Sequence, residues 1–253
     1  MLTPEQETYI LTHAYVPEHI VVLMTSLSGG EPFLIDDYFC CCKDDWVIFI
    51  GYPLEHEFVF NQFQVVLEKV NKKFRSERIS LIAPKLPQHL DERCREKDSD
   101  AYYTLNTRHP VIGSAVKRNL RKAGRRLAVE RAVHMGDAHH QLMQEFIERV
   151  SPPLRVKELF FKLPQYVASK NYVLGASDLL LSELIKMSAE YSKSYIHLGL
   201  GVNSGIRRFK EKWGAKPTLS YEMCELVQKK PLILEFVRAL GKLCFSVDPM
   251  KKS

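Results

Sequence analysis

Lys210 and His197 are the side chains in this chain whose type and setting best suit chemistry on a polar ligand. Lys210 stands near Arg207 and Arg208. If burial or those cations lower its pKa, it can deliver a proton; if it stays charged, it can hold a phosphate or carboxylate. A surface lysine whose stem covers Trp213 or Phe209 fits the same pattern. His197 alternates with Ile196 and Leu198, so on a strand it points away from both and is available as a base. A satisfied core or surface histidine is the plainer alternative. Glu222 and Glu225 add carboxylates that could activate an amine, without a specific spacing. His139 and His140 are adjacent, face opposite ways on a helix and lack a ligand-spaced partner, so no metal site is expected. No Ser-His-Asp, Walker or dinucleotide pattern occurs.

Both residues belong to one stretch, 195–217, reading YIHLGLGVNSGIRRFKEKWGAKP. Residues 195–200 have the length and composition of a short strand. Gly199 and Gly201 permit a tight turn and a close approach of backbone or ligand. Asn203 or Ser204 can cap a helix over 204–213, in which Ile206, Phe209 and Trp213 share a face. Gly214 ends that helix and Pro217 prevents a restart. Trp213 therefore reads as core. Lys210, at the edge of the stripe, reads as tolerating alanine within about 0.5 kcal/mol. Upstream, Leu174, Gly175, Ala176 and Ser177 lead into a helix over 177–191 that Ser177 can cap, with Leu180, Leu181, Leu184 and Ile185 as its apolar stripe.

The unit from Asn203 to Gly214 resembles the end of a GNAT-type N-acyltransferase domain, a family that commonly ends strand, Asn, helix, in a pattern like N-x-x-A-x-x-x-Y-x-x-x-G-F. Ile206 takes the small apolar position, Lys210 the tyrosine position and Ala215 the final one. The lysine form, F-K-x-x-W-G, looks more like the Fem-type tandem GNAT-like transferases. The resemblance implies an α+β fold of two GNAT-like mixed αβ domains, 1–108 and 109–253, with the first lacking a site motif. It implies transfer of an acyl group from acyl-CoA to a small-molecule or peptide amine. Aminoacyl-tRNA is the donor in the Fem-type alternative, and a catalytically inactive binding or scaffold domain is the third reading. It further implies that Leu174, Gly175, Ala176 and Ser177, with Gly201 and Asn203, hold the cofactor, because unpaired helix N–H groups bind phosphate. Lys210 would protonate the leaving thiolate, and His197 would serve as base.

Two features depart from the family. A GNAT domain inserts an antiparallel meander between its first helices and the helix that meets coenzyme A. Here residues 169–176 alone separate those elements, so the second domain is shortened or the first half supplies its strands. Tyr172 also replaces the Gln or Arg that opens the phosphate loop, and Asp178 at the helix start repels an anion.

The remaining chain supplies an ordinary scaffold. Its 253 residues are 45% hydrophobic and 26% charged, enough for a large core. A net charge of +6 is compatible with coenzyme A, nucleotides or tRNA. The N-terminus lacks a basic and apolar leader pattern, and no apolar run suffices to cross a bilayer, so a cytoplasmic protein without a membrane partner is expected. The six cysteines, three of them consecutive, lack C-x-x-C spacing and read as buried reduced thiols. In order, the pattern predicts a helix capped at Thr3, a strand over 19–26, β-rich runs over 32–42 and 46–52, a helix over 58–74 and a strand over 79–83. An exposed connector over 86–100 and a strand over 101–105 follow. A basic helix over 114–126 carries Lys117, Arg118, Arg121, Lys122, Arg125 and Arg126, read as a solvated face or a phosphate contact. Beyond it come a strand over 127–132, helices over 137–150 and 155–168, a last strand over 218–226 and a terminal helix over 231–243.

Overall fold

The structure, a computed structural model, describes residues 1–110, 112–129, 131, 136–150 and 176–227. The expected helices over 155–168 and 231–243, and the residues Leu174 and Gly175, lie outside them. Helix α1 (Pro4–His13) begins as its sequence requires. Thr3 Oγ1 accepts from the Gln6 amide at 3.3 Å, and the Gln6 side chain accepts from the Thr3 amide at 3.0 Å.

The run predicted as a strand over 19–26 is instead a 3-10 turn (Pro17–His19) followed by helix α2 (Val21–Ser28). An unbroken apolar run carries no periodicity to separate strand from buried helix. Gly29, at φ 63°, closes α2 by donating to the Thr25 carbonyl at 2.8 Å.

Strands β1 (Glu31–Ile35), β2 (Tyr38–Lys43) and β3 (Trp46–Ile50) form an antiparallel meander. Helix α3 (Phe60–Phe74) then crosses to β4 (Arg78–Ala83), which lies parallel to β3. Period-two alternation places Val47 and Phe49 against α3, and Ile48 and Ile50 on the opposite face with α1 and α2. Phe63, Val66, Leu67 and Val70 of α3 are buried, each worth about 1.5–3 kcal/mol on burial.

The second half joins the same sheet. Strands β5 (Cys94–Asn106), β6 (Tyr195–Leu200) and β7 (Lys216–Val227) complete the order β1-β2-β3-β4-β7-β5-β6. The sheet is thus continuous across the expected boundary near 108. Helices α4 (Ser114–Gly124), α5 (Asp137–Val150), α6 (Ala176–Glu190) and α7 (Ser204–Lys212) belong to this half. A third core gathers Tyr103 and Leu105 of β5, Val116 of α4, Leu181 of α6, and Trp213.

Three local expectations are corrected. The exposed connector over 86–100 is a 3-10 turn (Gln88–Arg93) and the first half of β5. Residues 95–99 are exposed, so their backbone ladder with β7 forms this strand, with no apolar pattern to announce it. Residues 127–129 are irregular, and the rest of that predicted strand lies largely outside the described residues. Cys94 and Cys224 are disulfide-bonded across 130 residues, with 5.5 Å between α-carbons, so they are not free thiols. Cys40, Cys41 and Cys42 are free as expected, and burial pushes the thiols of Cys40 and Cys41 up to about 12.

Gly51 follows β3 where α3 comes closest. A Cβ there would stand 2.5 Å from Phe63 Cε2 and 2.8 Å from Ala83 Cβ. Gly51→Ala is expected to destabilise by about 1–3 kcal/mol through overpacking. Urea unfolding reads this directly, and an unchanged midpoint would refute the close approach.

Asp37, in the β1–β2 turn, organises the loop beyond Gly51. Its carboxylate accepts from Tyr9 Oη (2.6 Å), the amides of Glu55 and His56 (both 3.1 Å), and His56 Nδ1 (2.9 Å). Burial pushes the Asp37 carboxyl up, but these hydrogen bonds outweigh it and hold it below its ordinary value. A depressed folded pKa contributes stability above the unfolded value, near 3.9, which is lost as pH falls through the folded one. The stability difference between wild type and Asp37→Asn is therefore expected to be full near neutrality and to shrink as pH falls below about 4. Melting curves from about pH 2 to 6 check it; a constant difference would count against the network.

Candidate functional site

The turn between β6 and α7 is held from two sides. Asn203 caps α7 as the sequence predicts, with Oδ1 accepting from the Ile206 amide at 2.9 Å. Lys210, only 6% exposed, donates from Nζ to the carbonyls of Gly199 (3.1 Å) and Leu200 (2.5 Å). It is not the surface residue its position suggested. Burial lowers its pKa, and Asp100 partly offsets that. From β5, Asp100 accepts from the Val202 amide (2.6 Å), the Ala101 amide (2.8 Å) and Arg207 Nη2 (3.2 Å). The space beside the Gly201 α-carbon is taken by this pair, since a Cβ there would lie 2.7 Å from Asp100 Oδ1 and 2.6 Å from Arg207 Nε. Val202 adopts φ 57°, a conformation that β-branched residues resist, at a cost of order 1–3 kcal/mol. The surrounding bonds maintain this strained turn.

A second group of side chains adjoins it. Tyr102 of β5 lies opposite Leu200 of β6, and its ring centroid is 5.0 Å from that of His197. The Tyr102 hydroxyl donates to Glu18 Oε2 at 2.8 Å. Tyr52, two residues beyond the end of β3, packs edge-on against Tyr102, as does Tyr221 of β7. The Tyr52 hydroxyl donates to the Ser220 carbonyl at 2.6 Å, and His19 Nε2 donates to the Tyr52 carbonyl at 3.0 Å. This group sits past the carboxyl ends of the parallel pair β3 and β4, where open αβ sheets place their ligands.

The electrostatics of this group are those of buried polar groups. Burial pushes the Glu18 carboxyl up, opposed by the Tyr102 hydrogen bond and its own amide. Burial and the nearby Glu18 charge push the phenols of Tyr52, Tyr102 and Tyr221 upward. His19 is pushed down to about 4 by burial. His197 is lowered by burial and then by Lys210, so it is neutral at pH 7. Its Nδ1 accepts from the Gly199 amide at 3.1 Å, which assigns the ring proton to Nε2. That Nε2 is buried and has no partner among the described residues. In this tautomer His197 Nε2 carries the proton and does not present the lone pair of a base.

The structure thus brings Lys210 and His197 to opposite sides of Gly199, with Gly201 and Asn203 in the same turn. Ala176 and Ser177 stand apart, at the start of α6. Ser177 is an exposed residue inside the first turn, not the cap. Asp178 points inward, where its carboxylate accepts from Trp213 Nε1 (2.8 Å), Lys212 Nζ (2.7 Å) and Asn119 Nδ2 (3.3 Å), joining α4, α6 and α7. Ile206 is 38% exposed and leaves the stripe it was assigned to. Glu222 accepts from the Leu86 amide at 2.7 Å. Sequence reasoning missed Glu18, Tyr102 and Asp100. Glu18 fell beside a misassigned strand and Asp100 in a supposed connector; a polar residue next to an apolar run was the signal that could have found them.

Two further surfaces are defined. Four cations of α4 (Lys117, Arg118, Arg121, Lys122) and the two that follow it (Arg125, Arg126) are exposed, and none is ion-paired among the described residues. A groove of about 530 Å³ lies at the other end of β3 and β4, bordered by Trp46, Arg78 and Arg95, and contains none of the residues above. No group of side chains suited to a metal ion occurs among the described residues, and no described helix is long and apolar enough to cross a membrane.

The fold recurs in solved structures. The C-terminal domain (DUF2156) of a putative lysylphosphatidylglycerol synthetase from Agrobacterium fabrum aligns over 96% of both chains, with TM-score 0.57 and 11% identity. L-PGS from Bacillus licheniformis aligns over 94% of this chain and 96% of its own, with TM-score 0.51 and 12% identity. A conserved protein of unknown function from Bacteroides thetaiotaomicron aligns over 83% and 89%, with TM-score 0.53 and 11% identity. At such identities the likeness establishes a shared fold. No family model and no curated protein matches the sequence.

Proposed function

We propose that this chain is an acyltransferase of the aminoacyl kind, moving an aminoacyl group from a tRNA carrier to an amine acceptor. The observation that carries this reading is the exposed basic face of α4 and the residues just after it, six cations over 117–126 with no acidic partner among the described residues. Like charges at helical spacing repel by a few tenths of a kcal/mol per pair, and a polyanionic carrier relieves this. Support comes from the end-to-end fold likeness to a putative lysylphosphatidylglycerol synthetase, whose name describes an aminoacylated product, and from the F-K-x-x-W-G sequence at Phe209–Gly214. Acyl-CoA is the alternative donor, supported by the GNAT-like ending alone. The transfer requires an oxygen-facing donor for the developing oxyanion and a proton acceptor for the amine. His197 Nε2 and Glu18 are the groups of the site with those capacities.

The test pairs binding with transfer. Affinity for aminoacyl-tRNA is expected to fall steeply with salt, by a log–log slope of about 0.7–0.9 for each phosphate neutralised. Replacing Arg118, Arg121 and Arg125 by alanine should weaken binding and reduce that slope by about one for each phosphate no longer neutralised. A salt-independent curve, or label transferred from acyl-CoA and not from aminoacyl-tRNA, would refute the tRNA donor.

A further inference from the structure

The first half of β5 is a strand with little besides a covalent bond to fasten it. Residues 95–99 carry no apolar side chain and are exposed. Among the described residues β7 is their one strand neighbour, because β6 pairs with β5 only from Tyr102 onward. Within that ladder Glu96 stands opposite Glu225, and like charges directly opposed across two strands are destabilising. A segment with so few buried apolar contacts belongs to the part of a fold that opens first. The Cys94–Cys224 disulfide ties its end to β7. β7 is itself paired with β4 on its other side, so β5 is the strand that lifts if the tie is cut. Further along the same strand, Asp100 accepts from the Val202 amide and from Arg207, and the Ala101 carbonyl accepts from the Gly201 amide at 3.3 Å. These bonds hold the β6–α7 turn with Val202 at φ 57°, a conformation that persists only where its surroundings enforce it.

We propose that the Cys94–Cys224 disulfide is a redox-controlled staple that sets the order of the β6–α7 turn. Oxidised, it keeps the first half of β5 on β7 and Asp100 beneath the turn. Reduced, it lets that half-strand leave β7, and the turn loses the bonds that enforce its strained conformation. The reductant is a dithiol. Cys224 is fully buried and Cys94 only partly, so the dithiol's thiolate attacks the Cys94 sulfur as the strand end frays. The bond to Cys224 breaks and Cys224 leaves as a thiolate that takes up a proton. The reductant's second thiol then closes on its own sulfur and releases Cys94 as a thiol. Two electrons and two protons pass to the protein, and the reductant becomes a cyclic disulfide. The device is independent of which acyl carrier the site takes.

Amide exchange of the wild-type chain, followed by NMR with and without dithiothreitol, tests the staple. Alkylation of the denatured chain with peptide mapping fixes the two states. Cys94 and Cys224 should be blocked without the reductant and labelled with it; labelling of both without it overturns the proposal. On reduction the amides of residues 96–100 that face β7, and those of Gly201 and Val202, should exchange at least about tenfold faster than in the oxidised chain. The amides of β2 and β3, remote from the staple in the same sheet, should change much less. A uniform acceleration through the sheet would make the disulfide a general stabiliser and overturn the switch. Acceleration confined to 96–100, with Gly201 and Val202 unchanged, would overturn the coupling to the turn. These comparisons need no variant to fold. A Cys94→Ala, Cys224→Ala double variant should exchange like the reduced wild type and ignore the reductant. A dithiothreitol effect that persists in it would assign the response to other cysteines and overturn the proposal.

Discussion

Replacing Trp213 by alanine is expected to lower stability by about 3–5 kcal/mol, the usual cost of truncating a buried aromatic. Trp213 is fully buried, packed with Tyr103, Leu105, Val116 and Leu181. Its indole N–H also donates to Asp178 at 2.8 Å, so truncation both opens a cavity and withdraws a donor from a buried carboxylate. Lys212 and Asn119 still reach Asp178 in the variant and limit the second loss. Trp213→Phe should accordingly cost less than the alanine change. Equilibrium unfolding in urea measures both. A loss under about 1 kcal/mol for alanine would mean that this third core contributes little.

Replacing Lys210 by alanine is expected to cost about 2–4 kcal/mol, in contrast to the near-neutral change its sequence position suggests. Its ammonium donates to the carbonyls of Gly199 and Leu200, and each buried acceptor left without a donor costs about 1–3 kcal/mol. Those bonds also hold the turn in which Val202 stands at φ 57° and from which His197 takes its Gly199 hydrogen bond. The variant should therefore show faster amide exchange over residues 199–203 as well as a lower unfolding midpoint. Stability unchanged within about 0.5 kcal/mol would return Lys210 to a purely functional role. A stability loss with normal exchange in the turn would place its contribution elsewhere.

How the two halves of this chain divide between local and distant causes is visible in particular residues. The capping box at Thr3, the Asn203 cap, the Gly214 stop after Trp213 and the buried stripe of α3 are all written in neighbouring residues. Each depends on hydrogen bonds or side-chain spacing within one or two helical turns, so the amino-acid order suffices to determine it. The strand–turn–helix order over 195–214 was legible for the same reason, whereas the first half was legible only in part: its β-rich run over 32–42 is two strands with a turn at Asp36 and Asp37, and the run over 19–26 is largely a helix. Which strands pair was decided by tertiary structure alone. β7 slips between β4 and β5, the polar residues of β5 become strand through that ladder, and Cys94 meets Cys224 from 130 residues away. The same holds for the site, where Tyr102 reaches Glu18 across 84 positions, and for Lys210, buried by carbonyls that its own helix does not contain. A sequence encodes a side chain's chemistry and its local period. What a group faces, and so whether it is solvated, paired or orphaned, depends on surfaces that come together only when the sheet closes.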